Sequence, residues 1–243
     1  MAKARIAILT ALASAGFAVA LAAETGPGPT SNQAWDDPAL RSAAETRGRD
    51  VFAEHCASCH GEDLKGMSSA HTPDLTDDYW LFGGEDLDTF QIHPSDVELT
   101  VRYGVRSGHA KARELSSMPT WQAIAAKSEG LSAADMDDVT EYVLHLSGQQ
   151  ADLTAALRGK KLFGGKATCF DCHASDAKGD SSIGAPDLTR PATWVYGTDR
   201  AAIRASIAEG RAGEMPAFTG TLSDRQIADV SIYVLGKAGG RDF

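Results

Sequence analysis

The sequence is poor in cysteine, in aromatic residues and in positive charge. Four cysteines in 243 residues are too few for a disulfide-stapled secreted scaffold. Lysine and arginine number 23 against 33 acidic residues, a formal net charge of −10, and a nucleic-acid binder needs the opposite balance. Hydrophobic residues still make up 43%, which is enough to form packed cores. The composition therefore predicts one large or two small globular domains.

A long apolar run occurs only near the N-terminus. Lys3 and Arg5 precede the uncharged, alanine-rich residues 6–23, and this pattern predicts an export signal over residues 1–23 with a small-x-small cleavage site. The competing interpretation is an uncleaved membrane anchor, for which the run is barely long enough. Either way the protein is expected in the periplasm, free or tethered to the periplasmic face of the inner membrane.

The two halves of the chain repeat each other, and internal repeats decide domain organisation. Each half has, in the same order, Gly-x-x-x-Phe, Cys-x-x-Cys-His, Pro-Asp-Leu-Thr, a tryptophan, Met-Pro and a closing segment that ends in Tyr-Val-Leu. The repeat predicts two domains of one type, at residues 41–148 and 155–243. Residues 24–40 are then a leader, and a short connection joins the domains.

The spacing of apolar residues is helical in both halves. Ser132 with Asp135, and Ser223 with Gln226, predict capped helix starts. Ser95 and Glu98 predict another start. Long glycine- and proline-bearing loops separate the helices, and a domain of about 100 residues needs something large at its centre to support such loops. The expected fold class is mainly α, with two tandem helical domains.

Each half carries a Cys-x-x-Cys-His motif, the attachment signature of a c-type haem. The six residues are Cys56, Cys59, His60, Cys169, Cys172 and His173. One turn of helix brings both thiols to one edge of a porphyrin, where each can form a thioether, and places the histidine beneath the iron. Two covalently bound haem c groups are therefore the predicted cofactors, each filling the centre of its domain.

Three other chemistries use paired cysteines. Structural zinc sites separate their pairs by about 12–20 residues, whereas Cys59 and Cys169 are much farther apart. Two disulfides would leave the histidine after each pair unexplained. A thioredoxin-like redox motif needs a βαβ context, which the sequence pattern lacks.

The second axial position of each iron is assigned to methionine. Met118 and Met215 are each followed by proline at matching places in the repeat, and thioether ligation suits electron transfer. The prediction pairs Met118 with the haem of the first half and Met215 with that of the second. His71, His93 and His109 remain alternatives for the first haem.

Two further repeated pairs are candidate haem contacts. Trp80 and Trp194 could pack on the haems and direct their indole N–H groups to propionates, or simply fill the cores. Arg106 and Arg211 are candidate propionate partners, because arginine binds carboxylates with two parallel hydrogen bonds.

Both halves resemble class I cytochrome c domains, with an N-terminal helix, Cys-x-x-Cys-His, a Pro-x-Leu loop, Met-Pro and a C-terminal helix. In that family the carbonyl of the loop proline accepts a hydrogen bond from the iron-binding histidine and so orients its ring. The resemblance implies this role for Pro73 toward His60 and for Pro186 toward His173.

Residues 35–240 resemble, more closely, the dihaem subunit III of cbb3-type cytochrome c oxidases. The motifs that carry this resemblance are residues 80–84, 103–109, 184–189 and 194–197 together with the Met-Pro pairs. The family implies a cytochrome that carries single electrons toward the oxygen-reducing subunit and is not an enzyme by itself. That subunit has an N-terminal transmembrane helix, where this chain has only the alanine-rich run. A soluble periplasmic dihaem shuttle therefore fits equally well.

An enzyme, such as a dihaem peroxidase or a small-molecule dehydrogenase, is the alternative of another class, but it needs an open iron site. The expected partners are redox proteins. Residues 24–148 hold 22 of the acidic and 9 of the basic side chains, which predicts docking of a basic cytochrome or oxidase subunit on the first domain. A merely solubilising surface is the alternative. Membrane association is expected only through a retained N-terminal segment or a membrane complex.

Overall fold

The computed structural model describes residues 29–83, 92–113, 117–125 and 130–238. In the first half, helices α1 to α6 are Ser31–Asp36, Pro38–His55, Ala57–His60, Pro94–Tyr103, Trp121–Ala125 and Ala133–Leu146. In the second half, α7 to α10 are Leu153–Phe163, Phe170–His173, Arg200–Glu209 and Asp224–Leu235, with a 3₁₀ turn at Pro191–Thr193. Within these ranges, β-structure is confined to isolated bridges, so the mainly α prediction is confirmed.

The N-terminal segment falls outside this description. The expected export signal, residues 1–23, is not among the described residues. In the part of the chain that is described, none of the helices combines the length and the hydropathy needed to cross a bilayer.

Two helix starts follow the capping chemistry of the sequence. The Ser132 hydroxyl accepts a hydrogen bond from the backbone N–H of Asp135, and the Asp135 carboxylate accepts one from the N–H of Ser132. Ser223 and Gln226 form the same reciprocal pair at the start of α10. These pairs satisfy backbone donors that the first helical turn leaves unpaired, and both predicted starts are confirmed.

The start of α4 differs from the prediction. The helix begins at Pro94, and the Asp96 carboxylate accepts the N–H of His93 at 2.8 Å. Ser95 lies inside the first turn, where its own N–H donates to the side chain of Asn32 at 3.1 Å. Proline is well suited to the first helical position, because its missing N–H would be unpaired there. This preference outweighed the Ser95–Glu98 pattern.

Residues 31–36 and 38–40, which the sequence places in a leader, are helical. They form α1 and the first residues of α2, and α1 packs against α2, α4 and α10. The Ser31 hydroxyl donates to Glu98 of α4 at 2.8 Å, and Ala34 is buried against Ala44 and Ile232. A capping box at Thr30 and Gln33 starts this helix.

The main helix pairs of both cores join one half of the chain to the other. Helix α2 lies along α10, and α6 lies along α7. A Cβ atom on Gly48 would stand 2.1 Å from the carbonyl oxygen of Asp229, and one on Gly159 would stand 2.0 Å from that of Asp138. Both pairs of helices therefore cross at glycine, in direct backbone contact, and each pair joins one half of the chain to the other.

Because helices of one half pack against helices of the other, the chain forms two packed units. The first unit consists of α1 to α4 and α10, and its core joins Phe52 and Cys56 to Ile227, Tyr233 and Val234. The second unit consists of α5 to α9 and forms a separate core. The second unit is thus one continuous stretch of chain between α4 and α10. The two repeats are consecutive in sequence, but neither coincides with a packed unit.

Candidate haem-binding sites

The first Cys-x-x-Cys-His motif follows the end of α2. Cys56 closes that helix, and α3 carries Cys59 and His60 one turn further. Burial raises the pKa of the Cys56 thiol to about 11, with a smaller contribution from Cys59. Burial also lowers the pKa of His60, which favours a neutral ring. The motif thus presents a neutral thiol and a neutral imidazole to one core.

The second motif has the same form on α8. Burial raises the pKa of the Cys169 thiol to about 11 and lowers the pKa of His173, which is 9% exposed. The His173 Nδ1 lies 3.0 Å from the carbonyl oxygen of Pro186. A proton on Nδ1, donated to that carbonyl, leaves the Nε2 lone pair for a metal.

The two proline loops differ. Burial lowers the pKa of His60, and the carbonyl of Pro73 only partly opposes this shift, because no hydrogen bond of standard geometry joins the two groups. Within the described residues, His60 Nδ1 and Trp80 Nε1 are buried without a hydrogen-bond partner. Buried polar atoms of this kind are rare in native proteins and indicate a missing ligand or solvent. At the first site, these two nitrogen atoms are therefore available to form hydrogen bonds with a bound group.

Each methionine packs against the core that holds the Cys-x-x-Cys-His cysteine of the other half, which is the reverse of the predicted pairing. Met215 packs against the first core, which contains Cys56, and Met118 packs against the second core, together with Cys169. This packing favours pairing across the two halves over the predicted pairing within each half. The sequence could not separate the two pairings by motif, because both methionines have the same Met-Pro context.

Short backbone bridges hold these methionines. Met215 exchanges two hydrogen bonds with Val105, at 3.0 and 2.9 Å, and the Met118 N–H donates to the carbonyl of Arg211 at 3.0 Å. A Cβ on Gly104 would stand 2.4 Å from the Met215 carbonyl oxygen, and one on Gly210 equally close to that of Met118. Both glycines also have positive φ. The repeat therefore needs glycine at this position for two reasons, the close backbone approach and the backbone conformation.

The tryptophans occupy matched but unequal positions. Trp194 packs against the second core and donates its indole N–H to the carbonyl of Asp187 at 2.8 Å. Trp80 packs against the first core, where its indole nitrogen is one of the buried atoms without a protein partner. Each ring thus packs against the core that holds the first cysteine of its own half, and the Trp194 indole also hydrogen-bonds to the backbone.

The side chains of the two arginines hydrogen-bond to the protein itself. Arg106 donates to the carbonyl of Gly213 at 2.7 Å, two residues before Met215. Arg211 donates to the hydroxyl of Ser206 at 3.0 Å and to the carboxylate of Glu209. These contacts give both arginines a structural role that the propionate hypothesis did not include.

Contacts between the units involve residues that sequence reasoning missed. The Asp187 N–H donates to the Tyr79 hydroxyl at 2.9 Å, and Arg190 forms an ion pair with Asp78. The repeat offered no signal here, because Tyr79 has no tyrosine counterpart in the second half.

His71, an alternative ligand for the first haem, stacks on Tyr196 with ring centroids 4.6 Å apart. The stack places His71 at the contact between the halves.

Acidic residues of α6 are shared between the halves. Each of four carboxylates on this helix pairs with a cation of the second half: Asp135 with Lys166, Asp137 with Arg204, Asp138 with Arg158, and Glu141 with Arg200. Part of the acidity that the sequence assigns to the first domain therefore lies in the second unit and is already paired.

The side chains present fit covalent haem better than the other cysteine chemistries. All four cysteines lie in described ranges and are free thiols. No three histidine, cysteine or acidic side chains among the described residues cluster closely enough to hold a metal ion by themselves. The first thiol of each motif, Cys56 and Cys169, has a pKa raised by burial and is a poor nucleophile at neutral pH, which does not suit a disulfide oxidoreductase. Two thiols, a histidine and a methionine around each core form the donor set of haem c.

Comparisons with known proteins agree with this chemistry. The cytochrome c family model matches residues 45–147, and the model for cytochrome c oxidase, cbb3-type, subunit III matches residues 154–234. A cbb3-type cytochrome c oxidase subunit FixP from Bradyrhizobium sp. (strain ORS 278) is 38% identical over 210 residues, covering 84% of this chain and 65% of that protein. A subunit CcoP from Cereibacter sphaeroides is 35% identical, covering 84% and 64%.

The chain thus spans about 65% of the length of the first of these relatives. Among solved structures, a Kuenenia stuttgartiensis reducing HAO-like protein complex covers 79% of this chain and 96% of its own, at 17% identity and a TM-score of 0.21. That similarity is too low to add to the fold. The family models and the curated relatives are independent of it. Because both halves match cytochrome domains and the relatives are cbb3-type subunits, this chain belongs to the c-type cytochromes, as a dihaem member related to subunit III of cbb3-type oxidases.

Proposed function

We propose that the protein carries single electrons through two haem c groups whose axial ligands come from different halves of the chain. His60 and Met215 hold the first iron, and His173 and Met118 hold the second. The observation that carries this proposal is the packing of Met215 with Cys56 and of Met118 with Cys169. Cys56, Cys59, Cys169 and Cys172 provide the four thioether attachments.

The protein's own residues determine what such a site can do. Haem supplies a one-electron couple when it is bound. Burial keeps His60 and His173 neutral, and the Pro186 carbonyl fixes the orientation of the His173 ring. A methionine thioether at the remaining position leaves no place for substrate on the iron. Because the methionine occupies this position, the site suits electron transfer rather than catalysis by this chain alone.

Spectra separate electron transfer from the enzyme alternative. The purified protein is expected to contain two c-type haems per chain, both low-spin, with the red-edge absorption of methionine-bound ferric haem. A high-spin ferric haem, or turnover with peroxide, would instead support a dihaem peroxidase.

The crossed ligand pairing is tested with double variants. In His173→Ala, only the first haem should keep its histidine–methionine pair. Adding Met118→Leu should change nothing further, because it removes a ligand from the same iron. Adding Met215→Leu should abolish the remaining methionine-bound signal. If pairing occurs within each half, the two double variants exchange their results.

We further propose that electrons leave toward, or arrive from, a basic redox protein at the first unit. The surface around its motif carries exposed Asp50, Glu54, Glu62 and Asp63 against two exposed cations, Lys65 and Arg49, of which Arg49 pairs with Asp50. This local charge supports the docking proposal better than the total charge does, since the α6 carboxylates are already paired. The name of the relatives makes an oxidase the first partner to test, and a soluble shuttle remains the second.

Matched charge reversals test the docking surface. Asp63 and Asp176 occupy equivalent turns, each accepting the N–H of a lysine two residues later. With a basic soluble cytochrome c as probe, Asp63→Lys should slow electron transfer about three- to tenfold at low salt, because electrostatic steering is lost. Asp176→Lys, in the second unit, should have little effect. Equal effects would contradict the assignment to the first unit.

Export and assembly are tested together. We expect periplasmic fractions to contain the dihaem protein with residues 1–23 removed. Mass analysis reports cleavage and haem number, and co-purification with a haem–copper subunit separates an oxidase subunit from a free shuttle. An intact N-terminus in a membrane fraction would support the anchor instead.

A further inference from the structure

One peptide group connects the second proximal histidine to the first half of the chain. The carbonyl of Pro186 lies 3.0 Å from His173 Nδ1, and the N–H of the same peptide group, from Asp187, donates to the Tyr79 hydroxyl at 2.9 Å. The imidazole, the peptide and the phenol therefore form one chain of hydrogen bonds. Such chains polarise their members and strengthen each bond.

Tyr79 is held firmly at the contact between the units. Burial raises the pKa of its hydroxyl, which therefore stays protonated. The guanidinium of Arg190 lies 5.3 Å from the centre of its ring and pairs with Asp78. The next residue, Trp80, packs against the first core. The Tyr79 hydroxyl is thus fixed by the first unit while it accepts a hydrogen bond from the second.

The first haem site has no equivalent arrangement. The repeat places Thr193 where Tyr79 stands, and the Thr193 hydroxyl donates to the carbonyl of Arg190 instead. His60 Nδ1 makes no hydrogen bond of standard geometry within the described residues. The two proximal histidines, identical in motif, therefore have different surroundings.

We propose that Tyr79 is a positioning residue for His173 that lowers the reduction potential of the second haem. Its hydroxyl accepts from Asp187, makes the Pro186 carbonyl a better acceptor, and so increases the basicity of the His173 ring. A more basic ligand favours the ferric state. This inference deepens the proposed function, because it requires that His173 binds the second iron.

The test is Tyr79→Phe in the dihaem protein. We expect the ferric-to-ferrous equilibrium of the second haem to shift about threefold toward ferrous, a rise of about 28 mV at 59 mV per tenfold. The potential of the first haem should not change. The control, Tyr103→Phe, removes a hydroxyl from α4 of the first unit and should leave the second haem potential unchanged.

A second readout follows the hydrogen bond itself. The nuclear magnetic resonance signal of the His173 Nδ1 proton should move upfield in Tyr79→Phe, as its hydrogen bond weakens, and stay in place in the control. Should Tyr79→Phe fold poorly, 3,5-difluorotyrosine at position 79 weakens the acceptor without removing it, provided that the pH is low enough to keep its more acidic phenol protonated. It should shift the potential in the same direction by a smaller amount.

The outcomes separate this inference from the proposed function. Two methionine-bound haems with potentials that do not respond to Tyr79→Phe would overturn the role of Tyr79 alone. If His173→Ala left both haems with their normal ligands, the proposed function itself would fail. A shift of the first haem potential instead of the second would also overturn the inference.

Discussion

The two packed units are built from the same parts but follow the chain differently. The second unit, α5 to α9, is one uninterrupted stretch, whereas the first unit, α1 to α4, is completed by α10 from the far end of the sequence. Each unit needs a C-terminal helix and a methionine from the other half. The comparison indicates that the two halves depend on each other for their packed cores.

The units also differ in what surrounds them. Helix α1 covers Ala44 and Ile232 in the first unit. In the second unit, Leu153 and Leu157 of α7 are 61% and 67% exposed. Ion pairs join helices in both units: the α6 carboxylates pair within the second unit, and Arg47 of α2 pairs with Asp229 of α10 in the first. The units thus differ in the additional helix that covers the first, and not in the use of ion pairs.

The largest expected effect comes from the glycines beneath the methionines. Gly104→Ala places a Cβ 2.4 Å from the Met215 carbonyl oxygen at a φ of +74°, and backbone atoms cannot yield as a flexible side chain can. We expect Met215 to leave the first iron, so that half of the red-edge absorption is lost. Gly210→Ala should do the same to the second iron.

Gly108→Ala is the matched control for this experiment. Gly108 has a φ of +77°, and nothing lies within 4 Å of its Cβ position. The variant therefore carries the backbone strain, roughly 1–2 kcal/mol, without the clash. Loss of the absorption in Gly108→Ala would show that strain, rather than contact with Met215, is responsible.

A smaller effect is expected at the two helix crossings. Gly48→Ala forces α2 away from α10, and Gly159→Ala forces α6 away from α7, because each Cβ would stand about 2 Å from a backbone oxygen. Overpacking of this kind costs about 1–3 kcal/mol. Thermal unfolding should show a decrease of several degrees in the midpoint for each variant.

Gly164→Ala is the control for the crossings, since its Cβ would meet only one backbone oxygen at 3.8 Å. The haem that responds is informative as well. Gly48→Ala should disturb the first haem through a helix of the second half, and Gly159→Ala the second haem through a helix of the first. Disturbance of the haem in the other unit would contradict the exchanged packing.

The smallest expected effect is a difference in acid sensitivity. Arg200 lowers the pKa of Glu141, with help from the N–H of Asp152, and the N–H of Ser132 with Lys166 lowers that of Asp135. A carboxyl with a lowered pKa stabilises the folded state above its unfolded value of about 4.5 for Glu, and this contribution is lost as the pH falls further. Glu141→Gln should therefore reduce the acid sensitivity of the second unit.

The change for Glu141→Gln should stay below about 1 kcal/mol, because its partner Arg200 is largely exposed to solvent. Chemical unfolding monitored at the second haem, at pH 7 and below pH 4.5, measures it. Asp137→Asn removes a more exposed carboxylate of the same helix and should give a smaller change. An equal change in both would indicate a general charge effect.

Much of the fold could be predicted from the sequence because it depends on neighbours in the chain. The caps at Ser132 and Ser223 are local, and each Cys-x-x-Cys-His motif needs only one turn of helix. The start of α4 was misplaced because Pro94, a residue before the expected cap, satisfies the first turn equally well. Helix α1 was missed because a short capped segment next to a proline resembles a leader.

One feature of the sequence could have predicted that helices of one half pack against helices of the other. Helix α6 ends at Leu146 and α7 begins at Leu153, and so short a connection places consecutive helices side by side and antiparallel. With α6 against α7, α2 is left to pack with α10. Motif spacing could not reveal this, because the repeated Met-Pro segments are interchangeable by sequence.

The sequence by itself determined the chemistry: four thiols, two histidines and two methionines in two sets, within helices that their own caps and apolar faces specify. Tertiary structure alone decided which methionine packs against which core, and that Tyr79 contacts the peptide group next to only one of the histidines. The physical reason is that ligand type and helix formation depend on residue identity and local spacing. Pairing between nearly identical repeats depends on close backbone contact at Gly48 and Gly159 and on the length of the connection between α6 and α7.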